Sequence, residues 1–146
     1  MEFETLFRAT EMLEGEQAFH PRLDPAHWRT LAGYMAPRNV AAGELLLAQG
    51  EPERALFLLG QGTLQVYAVP ARQRVELLQA GSVVGEASLF ADRPAATTVE
   101  AMTACIVWTL PAARMAQLAQ RSPEIAFEVL RAAGALLVRR LRDCQA

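Results

Sequence analysis

The first 37 residues carry apolar positions at helical spacing and predict two helices. The first helix spans residues 2–19, after which His20-Pro21 breaks the pattern. The second has Asp24 as its N-cap and Pro25 at its first position, and it runs to about Met35. The apolar positions of the two helices include Phe3, Leu6, Phe7, Leu13, Phe19, Trp28, Leu31 and Ala32.

From Asn39 to Leu110 the helical spacing of apolar residues ends, and short β-prone segments separated by glycines follow. Apolar and polar residues alternate in several of these segments, as in a half-buried strand. The segments are residues 45–47, 55–59, 63–69, 74–79, 97–102 and 105–110. Many short strands with regular turns predict a β-sandwich or barrel.

Two further helices are predicted after the strands. One begins at Leu110-Pro111, and Ser122-Pro123-Glu124 begins a longer one over residues 123–142. Its apolar stripe consists of Ile125, Val129, Ala132, Ala133, Leu136, Leu137 and Leu141. The stripe packs on the chain's own β core or on a twin helix, and its length and small residues favour a homodimer. We expect Arg139, Arg140 and Arg142 to stabilise the negative end of the helix dipole.

The composition is typical of one globular domain with a net charge close to zero. Of 146 residues, 52% are hydrophobic and 21% are charged, and the net charge is −2. We therefore expect no DNA-binding surface. No apolar run is long enough for a bilayer span, and the acidic N-terminus lacks a signal sequence, so we expect a cytoplasmic protein.

The sequence has few of the residue types that catalyse reactions or bind metals in other classes of protein. Cys105 and Cys144 are expected to be reduced thiols. The two histidines, His20 and His27, precede the strands and suggest no metal site. Since no nucleophile motif, Walker loop or dinucleotide fingerprint is visible, we expect a protein without catalytic activity, metal or cofactor.

One stretch, from Gly85 to Val99, combines features of an anion site. A glycine and an acid, Gly85 and Glu86, open a short apolar turn, and a proline-bearing loop and a β-prone run follow. Backbone amides in the first turn of a helix are unpaired and bind phosphate. Glycine lets the backbone approach a ligand closely and adopt a positive φ.

This stretch resembles the phosphate-binding cassette of the cyclic nucleotide-binding domain family, whose consensus is Gly-Glu-x-x-Leu, a spacer, then Arg-(Ser/Ala)-Ala-Thr-Val. Two other patterns are similar to the family, Gly43-Glu44 with Gln49-Gly50-Glu51 and the run from Phe57 to Val66. The resemblance covers about residues 25–142.

The resemblance implies a mainly β fold of the catabolite-activator and protein-kinase-A-regulatory-subunit type. That fold is an antiparallel β-roll (a double-stranded β-helix or jelly roll) with N-terminal helices and a long C-terminal helix. We expect a single domain over residues 1–146, with helices in 1–37, the roll in 38–110 and helices in 111–146. Because the chain ends just after the long helix, we expect a stand-alone domain without a helix-turn-helix.

The resemblance also assigns roles within the cassette. It implies that Glu86 accepts a hydrogen bond from a ribose 2′-hydroxyl and that the amides of Ala87 and Ser88 face a cyclic phosphate. The family's phosphate-binding arginine is replaced by Ala95, and Ala96 replaces a frequent serine. The candidate ligand-binding residues are Gly85, Glu86, Ala87, Ser88, Arg93, Ala95, Ala96 and Thr97.

The arginine missing at Ala95 weakens the expected site. Removing one partner of a buried charge pair costs about 2–5 kcal/mol, which is on the order of 30-fold to several thousand-fold in affinity. Arg93 either substitutes for the lost charge or is a solvated loop arginine whose direction Pro94 restricts. Glu86 either binds ligand or is structural, capping the turn or pairing with an arginine such as Arg93.

Two functions follow from these observations. The first is a regulatory sensor domain for cyclic AMP or cyclic GMP, with binding that is weak, lost or altered toward another nucleotide such as cyclic di-GMP. Ligand binding would shift the last helix and so bias a partner or a dimer. The second is a ligand-free interaction or dimerisation module with an unknown protein partner.

Overall fold

A computed structural model describes residues 3–15, 18–51, 54–68, 73–91, 94–95 and 97–145. The helices are α1 (Phe3–Met12), α2 (Pro25–Ala32), α3 (Glu86–Ala91), α4 (Ala112–Arg121) and α5 (Pro123–Gln145). The strands are β1 (Ala36–Val40), β2 (Leu45–Leu47), β3 (Ala55–Gln61), β4 (Thr63–Ala68), β5 (Gln73–Gln79), β6 (Val83–Val84), β7 (Thr98–Ala101) and β8 (Cys105–Pro111).

In the described residues these strands form two four-stranded antiparallel sheets. One has the order β1-β8-β3-β6 and the other β2-β7-β4-β5. Two helices precede the roll and two follow it, so the predicted β-roll with flanking helices is confirmed. The short helix α3 lies within the cassette, between β6 and β7.

Strand β3 is apolar from Ala55 to Leu59 because both of its faces are covered there. Leu56 and Leu58 belong to the core that packs between the sheet and the helices. Phe57 and Leu59 point to the opposite face and belong to the core inside the roll. Trp28 and Trp108, predicted to be packing residues, are both buried in the helix-facing core.

The first helix is shorter than the sequence pattern predicts. Helix α1 ends at Met12, and the chain then turns through Gly15 with a φ of +98°. Since that left-handed conformation favours glycine, the helix cannot continue to residue 19. Phe19 is nevertheless fully buried, which explains why the apolar spacing predicts a longer helix.

Helix α2 begins as predicted. The Asp24 carboxylate accepts a hydrogen bond from the backbone amide of His27 at 2.8 Å, and Pro25 occupies the first turn. The helix ends at Ala32, three residues before the expected Met35.

Most of the predicted stripe of α5 packs on the chain's own core. Leu137 is only half-buried, and the side chain of Leu141 lies outside the described part of the chain. Ile125, Val129, Ala133 and Leu136 are each 0–1% exposed and join the helix-facing core. These four residues are covered within one chain, and the homodimer stays a prediction. In the part of the chain that the structure describes, no helix is long and apolar enough to cross a membrane.

Candidate functional site

The cassette begins where β6 ends at Gly85. Its φ is +94°, and a Cβ placed there would overlap the carbonyl oxygen of Ala55 on β3. Only glycine avoids both the left-handed strain and this collision. The tight turn places Glu86 at the first position of α3, with the backbone of Ala87 and Ser88 following in the first turn.

The far half of the cassette is joined to the loop after β2. The Ala95 amide donates to the Glu51 carbonyl at 3.0 Å, and the Gly50 amide donates to the Ala95 carbonyl at 2.9 Å. The Thr98 hydroxyl, on a buried side chain, accepts from the Gln49 amide at 3.1 Å. The glycine pattern Gln49-Gly50-Glu51 and the cassette are distant in sequence but form one structural unit.

Ala95 lies in an apolar environment. Its side chain is 6% exposed and belongs to the core inside the roll, together with Leu46, Leu47 and Val99. The position that carries the phosphate-binding arginine in the family's pattern therefore contributes only a methyl group to the interior. Thr97 is half-buried beside it, and Arg93 and Ala96 lie outside the described residues.

Glu86 is buried and pairs with an arginine from the last helix. Its side chain is 7% exposed, and its Oε1 accepts a hydrogen bond from Nη1 of Arg140 at 2.6 Å. Within the described part of the chain, the second oxygen, Oε2, is buried without a hydrogen-bond partner. Glu86 thus has the structural pairing that the sequence allowed, but the observed partner is Arg140.

Arg140 joins α5 to the strand that leads into the cassette. Its Nη2 donates to the Val83 carbonyl at 2.7 Å and to the Ser82 hydroxyl at 3.2 Å. Its Nε lies 3.6 Å from a carboxylate oxygen of Glu76 on β5. The Arg140 side chain is only 14% exposed, so its guanidinium makes the contacts of an interior group and not those of a solvated helix end.

The expected role of Arg140 at the helix terminus is therefore incomplete, and sequence reasoning did not include Arg140 in the site. One signal was available. Arg140 follows Leu136 by four residues and Ala133 by seven, so it lies on the same buried stripe of α5. An arginine on a buried stripe requires an anionic partner, and Glu86 is a buried carboxylate.

Cys105, on β8, belongs to the same core inside the roll as Ala95. It is 2% exposed, and burial raises the pKa of its thiol. This is the setting of an unreactive core cysteine.

Comparison with known proteins agrees with the geometry. The sequence model of the family described as "Cyclic nucleotide-binding domain" matches residues 37–122, more than half of the chain. A cyclic nucleotide-gated potassium channel of Mesorhizobium japonicum is 34% identical over 105 residues, which are 72% of this chain and 28% of the channel. Glutaminase 2 of Bradyrhizobium diazoefficiens is 30% identical over 127 residues, 87% of this chain and 20% of that enzyme.

A solved structure supports the same architecture. A cyclic nucleotide-binding domain from Methylobacillus flagellatus superimposes with a TM-score of 0.82 at 23% identity, covering 97% of this chain and 79% of that one. At this identity the likeness concerns the fold alone. The chain spans less than a third of the length of either the channel or the glutaminase.

Proposed function

This chain belongs to the cyclic nucleotide-binding domain family, and we propose that it is a non-catalytic regulatory domain whose cassette is held closed by Arg140. The observation that carries the proposal is the buried pair of Arg140 and Glu86, with nitrogen and oxygen 2.6 Å apart. In this proposal a ligand and Arg140 compete for the same carboxylate. Cyclic AMP and cyclic GMP are the first candidates for the ligand.

The competition follows from the role that the family resemblance gives to Glu86. A ribose hydroxyl needs a carboxylate oxygen as acceptor, and Arg140 already uses Oε1. A ligand therefore replaces the arginine or binds through Oε2, which is buried and makes no hydrogen bond in the described residues. Either route requires part of α5 to move, because Arg140 lies over the carboxylate.

The phosphate half of the cassette favours Arg140 over a ligand in this competition. Ala95 supplies no charge and is packed among apolar side chains, so the phosphate lacks the arginine that grips it in the family's pattern. We propose that cyclic AMP and cyclic GMP bind weakly, or that a different nucleotide such as cyclic di-GMP is the ligand. The weak affinity and the closed cassette have the same cause: the cassette makes more favourable contacts with Arg140 than it can make with a ligand.

The output of the proposed switch is the position of α5. Arg140 connects that helix to Ser82, Val83 and Glu86, so its displacement frees the last turns of the helix from β6 and α3. A ligand that binds only the displaced state shifts the population toward it by its differential affinity. A protein partner or a second copy of the chain that binds α5 would respond to the change in the position of this helix.

Calorimetry with cyclic AMP, cyclic GMP and cyclic di-GMP tests the proposal on the wild type, Ala95→Arg and Arg140→Gln. We expect weak binding by the wild type and roughly tenfold or greater tightening in Arg140→Gln, which frees Glu86. Because Ala95 is buried among apolar side chains, circular dichroism must first show that Ala95→Arg folds; a folded variant should then bind tighter through its added phosphate partner. The matched control is Arg121→Gln, an exposed arginine in the last turn of α4, which should not change affinity.

The outcomes separate the alternatives. Weaker binding by Arg140→Gln would show that Arg140 is itself the cation that holds the ligand, and the closed-cassette mechanism would be wrong. Micromolar binding by the wild type that Ala95→Arg does not improve would contradict the role assigned to Ala95. If no version binds any of the three nucleotides, the sensor function fails and the interaction module remains.

A second function, self-association through α5, is supported by the outer face of that helix. We define the outer face as Phe127, Leu130, Gly134, Leu137 and Val138. Phe127 is 64% exposed and Val138 is 54% exposed. From Phe127 to Leu137 the residues recur at intervals of three and four, the spacing of a helix seam, and Val138 follows Gly134 by four residues. A Cβ added at Gly134 would meet nothing within 4 Å.

This face suits a second copy of the chain. A face that repeats along one helix can pair with itself about a twofold axis, and glycine lets the two backbones approach closely. Light scattering over a wide concentration range should show a dimer that Phe127→Glu dissociates. Met12→Glu, which places the same charge at an exposed apolar position of α1, is the control. A wild type that stays monomeric throughout would exclude this function.

A further inference from the structure

A cavity whose described lining includes no residue of the cassette lies between α1, residues 19–23 and the first turn of α2. Its volume is about 470 Å³. The apolar part of the lining consists of Phe7, Phe19, Pro21, Leu23 and Trp28. Phe19, Pro21 and Trp28 are buried, and Phe7 and Leu23 are half-buried. A cavity of this volume with a largely apolar lining is typical of a site for a small molecule.

Two aromatic rings in this lining meet at an angle. The ring centroids of Phe7 and Trp28 are 5.9 Å apart, and the ring planes are inclined by 63°. Aromatic rings bind apolar groups, and their faces carry partial negative charge that attracts a cation. The two rings therefore suit an apolar ligand, including one with a positively charged group.

Three polar side chains, Thr10, Glu11 and His20, line the same cavity. The Thr10 hydroxyl donates to the Phe7 carbonyl at 2.7 Å, so its oxygen is left as an acceptor. Nε2 of His20 lies 2.9 Å from the Leu13 carbonyl oxygen. Because a carbonyl oxygen only accepts, Nε2 is the protonated nitrogen, and Nδ1 of the neutral ring is an acceptor.

Glu11 supplies the negative charge of the cavity. Its side chain is exposed and makes no ion pair or hydrogen bond in the part of the chain that the structure describes. The indole N–H of Trp28 is the remaining side-chain donor of the described lining, and it is neutral. The polar side chains that line the cavity therefore offer mainly acceptors, one of which is a carboxylate.

We infer that this cavity binds a small apolar amine, with its apolar body against Phe19 and Trp28 and its ammonium group at Glu11. An ammonium group offers three donors and no acceptor, so it complements the acceptors that Thr10 and His20 add. An anion would be repelled by the Glu11 carboxylate, and a neutral molecule would leave that charge unmatched. The inference does not depend on the cassette binding a nucleotide.

The test is calorimetry of the whole chain with phenethylamine and with phenethyl alcohol, a neutral molecule of nearly the same shape. We expect saturable binding of the amine and about tenfold weaker binding of the alcohol, which lacks the charge that Glu11 and the aromatic rings attract. Glu11→Gln should weaken binding of the amine by about fivefold, a modest factor because water screens an exposed carboxylate. The same variant should leave binding of the alcohol unchanged.

Two further variants locate the binding. Glu4→Gln is the matched control, because Glu4 is an exposed acid on the same helix and is not among the described residues that line the cavity. It should change the affinity for neither molecule. Leu23→Ala shortens an apolar side chain of the lining and should weaken both molecules by similar factors, with circular dichroism to check its fold.

Several results would overturn the site. One is the absence of saturable binding of the amine, and another is equal affinity for the amine and the alcohol. An equal loss of amine affinity in Glu4→Gln and Glu11→Gln would show attraction to the general charge of α1 and not to this cavity. Amine binding that a folded Leu23→Ala does not weaken would place the amine elsewhere.

Discussion

The two faces of α5 are both apolar but meet different surroundings. On the inner face, Ala133 and Leu136 are fully buried in the core, and Arg140 continues the same stripe to the cassette. On the outer face, Phe127 and Val138 are more than half exposed. The contrast teaches that an apolar stripe alone does not identify what covers it, since burial depends on which face the rest of the chain approaches.

The largest predicted effect comes from a charge placed on the inner face. Leu136→Glu should unfold the protein, because a carboxylate buried in an apolar core without a partner costs about 5 kcal/mol or more. Phe127→Glu, the same charge on the outer face, should change the free energy of unfolding by no more than about 0.5 kcal/mol. Urea titrations followed by circular dichroism would measure both. Similar values for the two variants would contradict the assignment of the faces.

A smaller effect is expected where the inner face ends, at Arg140. Arg140→Gln should lower the free energy of unfolding by about 3 kcal/mol, because it leaves the Glu86 carboxylate buried without its cation. Adding Glu86→Gln should recover part of that loss, since two neutral amides need no charge partner. A double-mutant cycle from urea titrations gives the coupling free energy. Strictly additive losses would show that the two side chains do not interact.

The smallest effect on the free energy of unfolding is expected at the ion pair of Arg131 and Glu128, which lies beside the two faces of α5. Their side chains are 31% and 17% exposed, so Arg131→Gln should cost about 1 kcal/mol or less at neutral pH. The Arg131 guanidinium, and then the Arg22 amide, lower the pKa of the Glu128 carboxyl below its usual 4.5.

The sign of the pH dependence follows from that lowered pKa. The pair contributes its full stability above pH 4.5, and the contribution is lost as the pH falls through the lower pKa of the folded state. The difference in unfolding free energy between wild type and Arg131→Gln should therefore shrink in strongly acidic buffer. A difference that grows on acidification would contradict Arg131 as the main cause of the lowered pKa.

Much of the fold could be predicted because its signals are local. The cap at Asp24, the turn at Gly85 and the helix start at Ser122-Pro123 depend on neighbouring residues, and each element begins where the sequence indicates. The end of α1 was misplaced because Phe19 is buried by tertiary packing and so imitates a helical position. Glycine at residue 15 was the local signal against that extension.

The candidate site also has one part that neighbouring residues determine and one part that tertiary packing determines. The glycine and acid at Gly85-Glu86, and the alanine at the arginine position, are properties of one short stretch that the sequence alone determines. The partner of Glu86 is 54 residues away, and the contact between Arg139 and Ala18 spans 121 residues. Such contacts depend on where the packed roll places α5. Helical spacing puts Arg140 on the buried stripe, but it does not identify the distant carboxylate that Arg140 meets. Folding therefore made Glu86 a paired carboxylate by bringing Arg140 of α5 beside it.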